Sequence, residues 1–204
     1  GWAPSGDAVL RRGARVGDRL MVSGTIGDGW LGLLAHWGEV EDPDGGLARR
    51  YRMPPPRLSI RDALRAYARA AADVSDGLLA DTAHIANASG LRVLVDLDRL
   101  PLSPGARKWL GAQPEAGEAR MSLASGGDDY ELVFTAPASA RAAVEQAGRD
   151  SATPVTCVHL SATGFCTAMP PPKQLFSLEK SSLSKPGVLS RPLYSVFTAG
   201  KLLT

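Results

Sequence analysis

Between Leu78 and Ser89 the chain is written at helical spacing. Leu78, Thr82, Ile85 and Ser89 fall on one line, Leu79, Ala83 and Ala86 on the next, and Asp81, His84 and Asn87 form a polar stripe. Gly90 stops the run as a C′ glycine does. Ahead of it, Ala70, Ala71, Ala72 and Val74 make an apolar lead-in that reads as a strand. Asp73, Ser75, Asp76 and Gly77 therefore stand where a strand ends and a helix begins, near the free N–H groups and the positive end of the helix dipole.

Other segments follow the same two periods. Residues 19–23 read as a strand, followed by a glycine-rich turn and a helix over about 30–37. Residues 60–71 are rich in Ala, Leu and Arg and predict a helix running into the strand before Asp73. Apolar and polar residues alternate over 91–97, which predicts a strand, and Ser103 with Pro104 behind it predicts the capped start of a short helix to Leu110. Residues 130–135 predict a strand and 137–148 an alanine-rich helix. The polar stretch after Trp37 reads as loop, residues 51–57 as an extended stiff linker set by Pro54, Pro55 and Pro56, and 111–117 as an outer loop.

Two stretches carry candidate chemistry. In the first, carboxylates at a strand-to-helix turn suit Mg²⁺, which takes hard oxygen ligands and shares them with phosphate and water. A plainer reading stands beside it: Ser75 or Asp76 is an N-cap and Asp81 a solvated helix residue. In the second, Gly126 and Gly127 let the backbone turn tightly, and Asp128, Asp129, Tyr130 and Glu131 lead into the strand. Spacing alone allows these acids to be a solvated turn. Gly27, Gly29 and Gly32 fit a G-x-G-x-x-G pattern, but no second β-branched run closes a βαβ unit, so a dinucleotide site is disfavoured.

Composition bounds the rest. The 204 residues are 44% hydrophobic and 22% charged, as in globular domains, and hold room for one ordinary domain with a real core, or one domain and a tail. No apolar run nears the roughly 20 residues a bilayer span needs, and no signal-peptide core is visible, so a cytoplasmic setting without membrane contact is expected. Cys157 and Cys166 have no metal or redox spacing. Residues 1–150 carry 18 basic against 20 acidic side chains, whereas 151–204 carry 5 against 1, with six prolines and no sustained period. Those scattered basic residues make no nucleic-acid footprint. A disordered or frameshifted tail is expected from 151, with the shift of frame after about residue 158, where acids and pattern are lost.

The wording of both stretches goes further than their spacing. Asp73-Val-Ser-Asp-Gly-Leu-Leu-Ala-Asp-Thr-Ala-His-Ile-Ala closely resembles a segment of thiamine-monophosphate kinases, members of the aminoimidazole ribonucleotide synthetase-related superfamily. The Gly126-Gly-Asp-Asp-Tyr-Glu-Leu run resembles their second motif, and the Arg-Gly-Ala-x-x-Gly-Asp segment from Arg12 resembles the opening of their C-terminal domain. The resemblance covers roughly residues 5–157. It implies an α+β C-terminal domain with a mixed sheet and packed helices over 13–150, the end of an interdomain linker over 1–12, and an irregular tail. It implies ATP-dependent phosphorylation of thiamine monophosphate to thiamine diphosphate. Asp73 and Asp76 would bind Mg²⁺, Ser75 and Arg11 would contact ATP, with Arg12 leaving the register open by one, and Asp128 would meet the substrate where many members have glutamate. Asp81 and Asp129 are supporting acids without an assigned role, and no catalytic residue is assigned. In the family an N-terminal domain holds most of the magnesium and forms a homodimer, so this chain is expected to be a fragment, inactive alone. Another ATP-using enzyme of the superfamily and a silent nucleotide-binding module are the alternatives.

Overall fold

The computed structural model describes residues 6, 8–158 and 194–196. Its strands are β1 (Arg19–Ser23), β2 (Ala70–Val74), β3 (Val93–Val95), β4 (Glu131–Ala136), β5 (Val155–Cys157) and β6 (Tyr194–Val196). Its helices are α1 (Asp28–Trp37), α2 (Gly46–Arg52), α3 (Arg61–Tyr67), α4 (Leu78–Ser89), α5 (Pro104–Gly111), α6 (Ala116–Ser125) and α7 (Arg141–Asp150). Four strands form one sheet in the order β2-β4-β1-β5, and β3 pairs with β6 in a second. The ladders within the four-stranded sheet run antiparallel, with Leu20 opposite Thr135, Asp73 opposite Leu132 and Met21 opposite Cys157. This is the expected α+β class.

Both faces of the larger sheet are covered, which is why β1 and β4 read as nearly unbroken apolar runs. Leu20, Val22, Val74 and Val133 face a core shared with Ile26, Leu31, Leu78, Ile85 and Leu123. On the other face Met21 and Phe134 pack with Ala140, Val144 and Cys157. Successive residues of β1 and β4 serve opposite faces, as the two-residue period of a strand requires.

Local signals account for the ends of several helices. Ser103 Oγ accepts from the Ala106 N–H at 3.0 Å with Pro104 at the first position, the cap its sequence predicts. Gly90 is left-handed, and its N–H and that of Leu91 close the last turn of α4.

Two helices escape the apolar pattern. The polar stretch after Trp37 contains α2, begun when the Asp42 carboxylate accepts from the N–H groups of Leu47 and Ala48 at 3.1 and 2.9 Å. Leu47 is its one buried residue, too little apolar surface for a visible stripe. Tyr51 and Arg52 accordingly belong to its last turn, and the extended run begins after them. The outer loop is shorter than expected, since α6 starts at Ala116 with only Ala119, Leu123 and Ala124 buried.

The sheet takes in Val155–Cys157, beyond residue 150. Asp96 N–H donates to the Val158 carbonyl, so the edge of β5 continues toward the end of β3. Tyr194–Val196, also within the expected irregular tail, forms β6 against β3. The expected shift of frame and residues 159–193 and 197–204 lie outside the described residues, as do residues 1–5 and 7.

Candidate functional site

The first motif turns between β2 and α4. Asp73 is the penultimate residue of β2, and its carboxylate is half exposed, 3.7 Å from Arg11 Nη2. The segment carrying Arg11 lies along β2, where Ala71 N–H donates to the Leu10 carbonyl. Ser75 and Asp76 do not cap α4 with their side chains. Asp81, one turn into the helix, folds back, and its Oδ2 accepts from the backbone N–H groups of Ser75 at 2.9 Å and Asp76 at 3.0 Å. Asp81 is thus buried rather than solvated, while His84 and Asn87 of the same stripe are exposed. Burial raises the Asp81 pKa, the two N–H donors oppose this, and the nearby charges of Asp76 and Asp73 raise it further. Ligand atoms of Asp76, Asp81 and His84 lie within 4.8 Å of one another.

The second motif turns between α6 and β4 and is sewn to the first by backbone. Asp128 N–H donates to the Ser75 carbonyl at 2.9 Å, and Tyr130 N–H to the Val74 carbonyl at 2.8 Å. Glycines make the approach possible. Gly127 has φ +77°, and a Cβ there would sit 2.7 Å from the Ser75 carbonyl oxygen; Gly77 has φ +107°, and its Cβ would sit 2.8 Å from the Ser125 carbonyl. Asp128 is partly exposed and Tyr130 exposed, with the Tyr130 hydroxyl donating to Asp128 Oδ1 at 3.3 Å. The Asp128 charge raises the pKa of that hydroxyl.

Asp129 and Glu131 point inward and have structural work. Asp129 is fully buried, and its two oxygens accept from the N–H groups of Gly27 at 2.8 Å and Gly29 at 2.9 Å. It therefore caps α1 from 102 residues away. The start of the G-x-G-x-x-G helix, a place that would suit a phosphate, is filled by the protein's own carboxylate. Burial pushes the Asp129 pKa up to about 7, against the two N–H donors and with help from the Asp28 charge. Asp28 itself accepts from Thr25 Oγ1 at 2.5 Å and Ser103 Oγ at 2.6 Å.

Glu131, also fully buried, accepts from Ser23 Oγ at 2.5 Å, Arg50 Nη2 at 2.5 Å and Arg57 Nε at 2.7 Å, and Arg57 Nη2 makes a second contact. Arg50 Nη2 also donates to the Asp129 carbonyl at 2.7 Å, so one guanidinium brackets the turn on both sides of Tyr130. Residues 51–57 are thus more than a stiff linker, because Arg57 anchors the second motif. Arg50 and Arg57 carry no local sequence signal for this role; their partner is 81 and 74 residues away.

Together these contacts bring Arg11, Asp73, Ser75, Asp76 and Asp128 to one end of the β2–β4 pair, with Asp81, Asp129 and Glu131 beneath them. Asp73 and Asp76 are exposed hard oxygen donors on a turn whose backbone is already fixed, the donor set Mg²⁺ takes when it shares its shell with phosphate and water. The charges of Asp76 and Asp73 both bear on Asp81, a field that a cation relieves.

Known proteins share this fold. A family model described as AIR synthase related protein, C-terminal domain, matches residues 15–155. The thiamine-monophosphate kinase of Caulobacter vibrioides is 73% identical over 133 residues, covering 65% of this chain and 38% of that protein. The crystal structure of thiamine-monophosphate kinase from Stenotrophomonas maltophilia K279a superposes with a TM-score of 0.71 at 38% identity, over 82% of this chain and 52% of that one. The structure of AaThiL complexed with AMPPCP and TMP superposes with a TM-score of 0.59 at 28% identity, over 78% of this chain and 53% of that one. The chain spans about half or less of the length of the curated relatives it matches, 38% to 49% for three of them. No helix among the described residues is long and apolar enough to cross a membrane. With the matched fold running from before β1 to the start of β5, the chain belongs to the AIR synthase related family, as its C-terminal domain.

Proposed function

We propose that this chain carries part of a thiamine-monophosphate kinase site, in which the γ-phosphoryl group of ATP passes to thiamine monophosphate and gives thiamine diphosphate in a cytoplasmic setting. The observation that carries the reading is the backbone junction Asp128 N–H to Ser75 O and Tyr130 N–H to Val74 O. It sets the metal-type acids and the substrate-type acid side by side, as a donor and an acceptor phosphate require of their holders. The named relatives supply the substrate class.

In this reading Asp73 and Asp76 hold Mg²⁺, Ser75 and Arg11 contact ATP, and Asp128 orients the acceptor. Bound Mg²⁺ would neutralise charge on the phosphates, which is most of what phosphoryl transfer asks of a site besides positioning. Asp81 keeps the Ser75–Asp76 backbone in place so that both side chains face outward. Arg50 and Arg57 do the same for Asp128 through Glu131. Two exposed carboxylates cannot neutralise a triphosphate of about four charges, so these 204 residues by themselves are expected to show negligible turnover. Homodimerisation through an N-terminal domain belongs to the same reading.

Calorimetric titration of a non-hydrolysable ATP analogue into the chain, with and without Mg²⁺, tests it. Binding that requires Mg²⁺ and weakens at least about tenfold in both Asp73→Asn and Asp76→Asn is expected, the loss of a charge-assisted ligand. Binding indifferent to Mg²⁺ and to both substitutions would sink the assignment.

A further inference from the structure

We infer that Tyr130 is a specificity-determining residue, whose exposed ring, with the Asp128 carboxylate at its edge, receives a flat cationic ring of the phosphoryl acceptor. This rests on the reading of the acceptor as thiamine monophosphate, whose thiazolium is such a ring.

Tyr130 has φ +50° and Asp128 φ +59°, so two residues in three are left-handed without being glycine. For aspartate that conformation is tolerable; for a bulky aromatic it is an outlier that persists only where the surroundings impose it. The surroundings do impose it. Tyr130 N–H is bonded to Val74, and the residues on either side, Asp129 and Glu131, are each fully buried and held by side-chain and backbone bonds. Packing does not repay the strain, because Tyr130 is 46% exposed. A large apolar side chain is therefore held outward, on a base with little freedom, in a conformation that glycine would take without strain.

What surrounds the ring selects its ligand. Asp128 accepts from its hydroxyl, and Asp73 stands near enough to act on the same hydroxyl electrostatically. An aromatic face bordered by carboxylates attracts a cation through both the ring quadrupole and the charges, and a flat cation adds stacking area. A neutral ring gains only the stacking.

Thiamine, which has the cationic ring and no phosphate, is the probe, titrated into the full chain and compared with neutral 4-methylthiazole. In Tyr130→Gly, thiamine affinity is expected to fall about tenfold, the scale of one aromatic–cation contact. The preference for thiamine over the neutral ring should shrink with it. The same variant should melt at a higher temperature than the wild type, since glycine relieves the positive φ. Tyr130→Phe keeps the ring and should stay within about threefold of the wild type. Unchanged thiamine affinity in Tyr130→Gly would overturn the inference, and so would a loss in Tyr130→Phe as large as in Tyr130→Gly, or no thiamine binding by the wild-type chain. Thiamine bound through Tyr130, with thiamine monophosphate bound no better and no Mg²⁺-dependent ATP binding, would leave the contact of Tyr130 with a cationic ring standing and remove the kinase reading.

Discussion

The two turns that meet at the candidate site present similar groups by opposite means. The β2–α4 turn is fixed by a side chain of its own: Asp81 reaches back five and six residues to hold the backbone that presents Asp73 and Asp76. The α6–β4 turn is held from afar, with Asp129 spanning to Gly27 and Gly29 and Glu131 gathering Ser23, Arg50 and Arg57 from 74 to 108 residues away. In each turn a buried acid holds the main chain while an exposed acid faces outward. The difference teaches that a functional loop need not be locally stable, provided the fold around it supplies the missing partners. The first turn should therefore tolerate loss of distant side chains, and the second should not.

Removing Glu131 tests this at its most sensitive point. Glu131→Ala leaves Arg50 and Arg57, each mostly buried, without their shared carboxylate. A cost of about 3–5 kcal/mol in denaturant unfolding is expected, the usual penalty for stranding a buried charge. A loss under about 1 kcal/mol would mean that the second turn does not depend on its distant anchors.

Gly127→Ala strikes the junction of the turns. The added Cβ meets the Ser75 carbonyl oxygen at 2.7 Å in a left-handed conformation, and about 1–3 kcal/mol should be lost. Amide exchange should quicken at Asp128 and Tyr130, whose N–H groups bond the other turn. Unchanged protection at both amides would show that the turns are held together by something else.

Asp129 gives the comparison a pH dependence. Its folded pKa, about 7, lies above the ordinary 3.8, so the folded state binds this proton more tightly than the unfolded one. The stabilisation is complete below about pH 4 and is lost progressively as pH rises to about 7, at a limiting slope of about 1.4 kcal/mol per unit. The difference in melting temperature between the wild type and Asp129→Asn should therefore shift in favour of the variant between pH 4 and 7 and level off above. A pH-independent difference would place the proton elsewhere.

Arg11 should matter least to stability. Its contact with Asp73 is 3.7 Å long with both side chains more than half exposed, so solvent screens it and Arg11→Ala should change unfolding by no more than about 0.5 kcal/mol. Under the proposed function the same variant weakens ATP-analogue binding severalfold. A structural loss without a binding loss would reverse that assignment.

Legibility followed sequence distance. Asp73, Ser75 and Asp76 are readable because a strand period, a turn and a helix period meet within a few residues, and the Ser103–Pro104 start of α5 is readable because a cap is a local bond. Asp81 shows the limit of pattern reasoning: on the helical line it belongs to the polar stripe, yet its side chain bends back under the turn and is buried. Helix α2 was hidden because a side chain before it, Asp42, starts it and only Leu47 anchors it.

The sequence by itself determined most strands and helices, since periodicity, caps and turn residues act over a few positions, and the wording of both acidic turns, whose family resemblance implied the α+β class. The tertiary structure alone decided that the turns lie side by side, that Asp129 fills the glycine-rich helix start, and that Arg50 and Arg57 converge on Glu131. Those outcomes depend on how the sheet orders its strands, bringing β4 between β2 and β1. A bond between residues 80 or 100 positions apart leaves no periodic trace, because it is made by chain reversal and burial rather than by neighbours along the backbone.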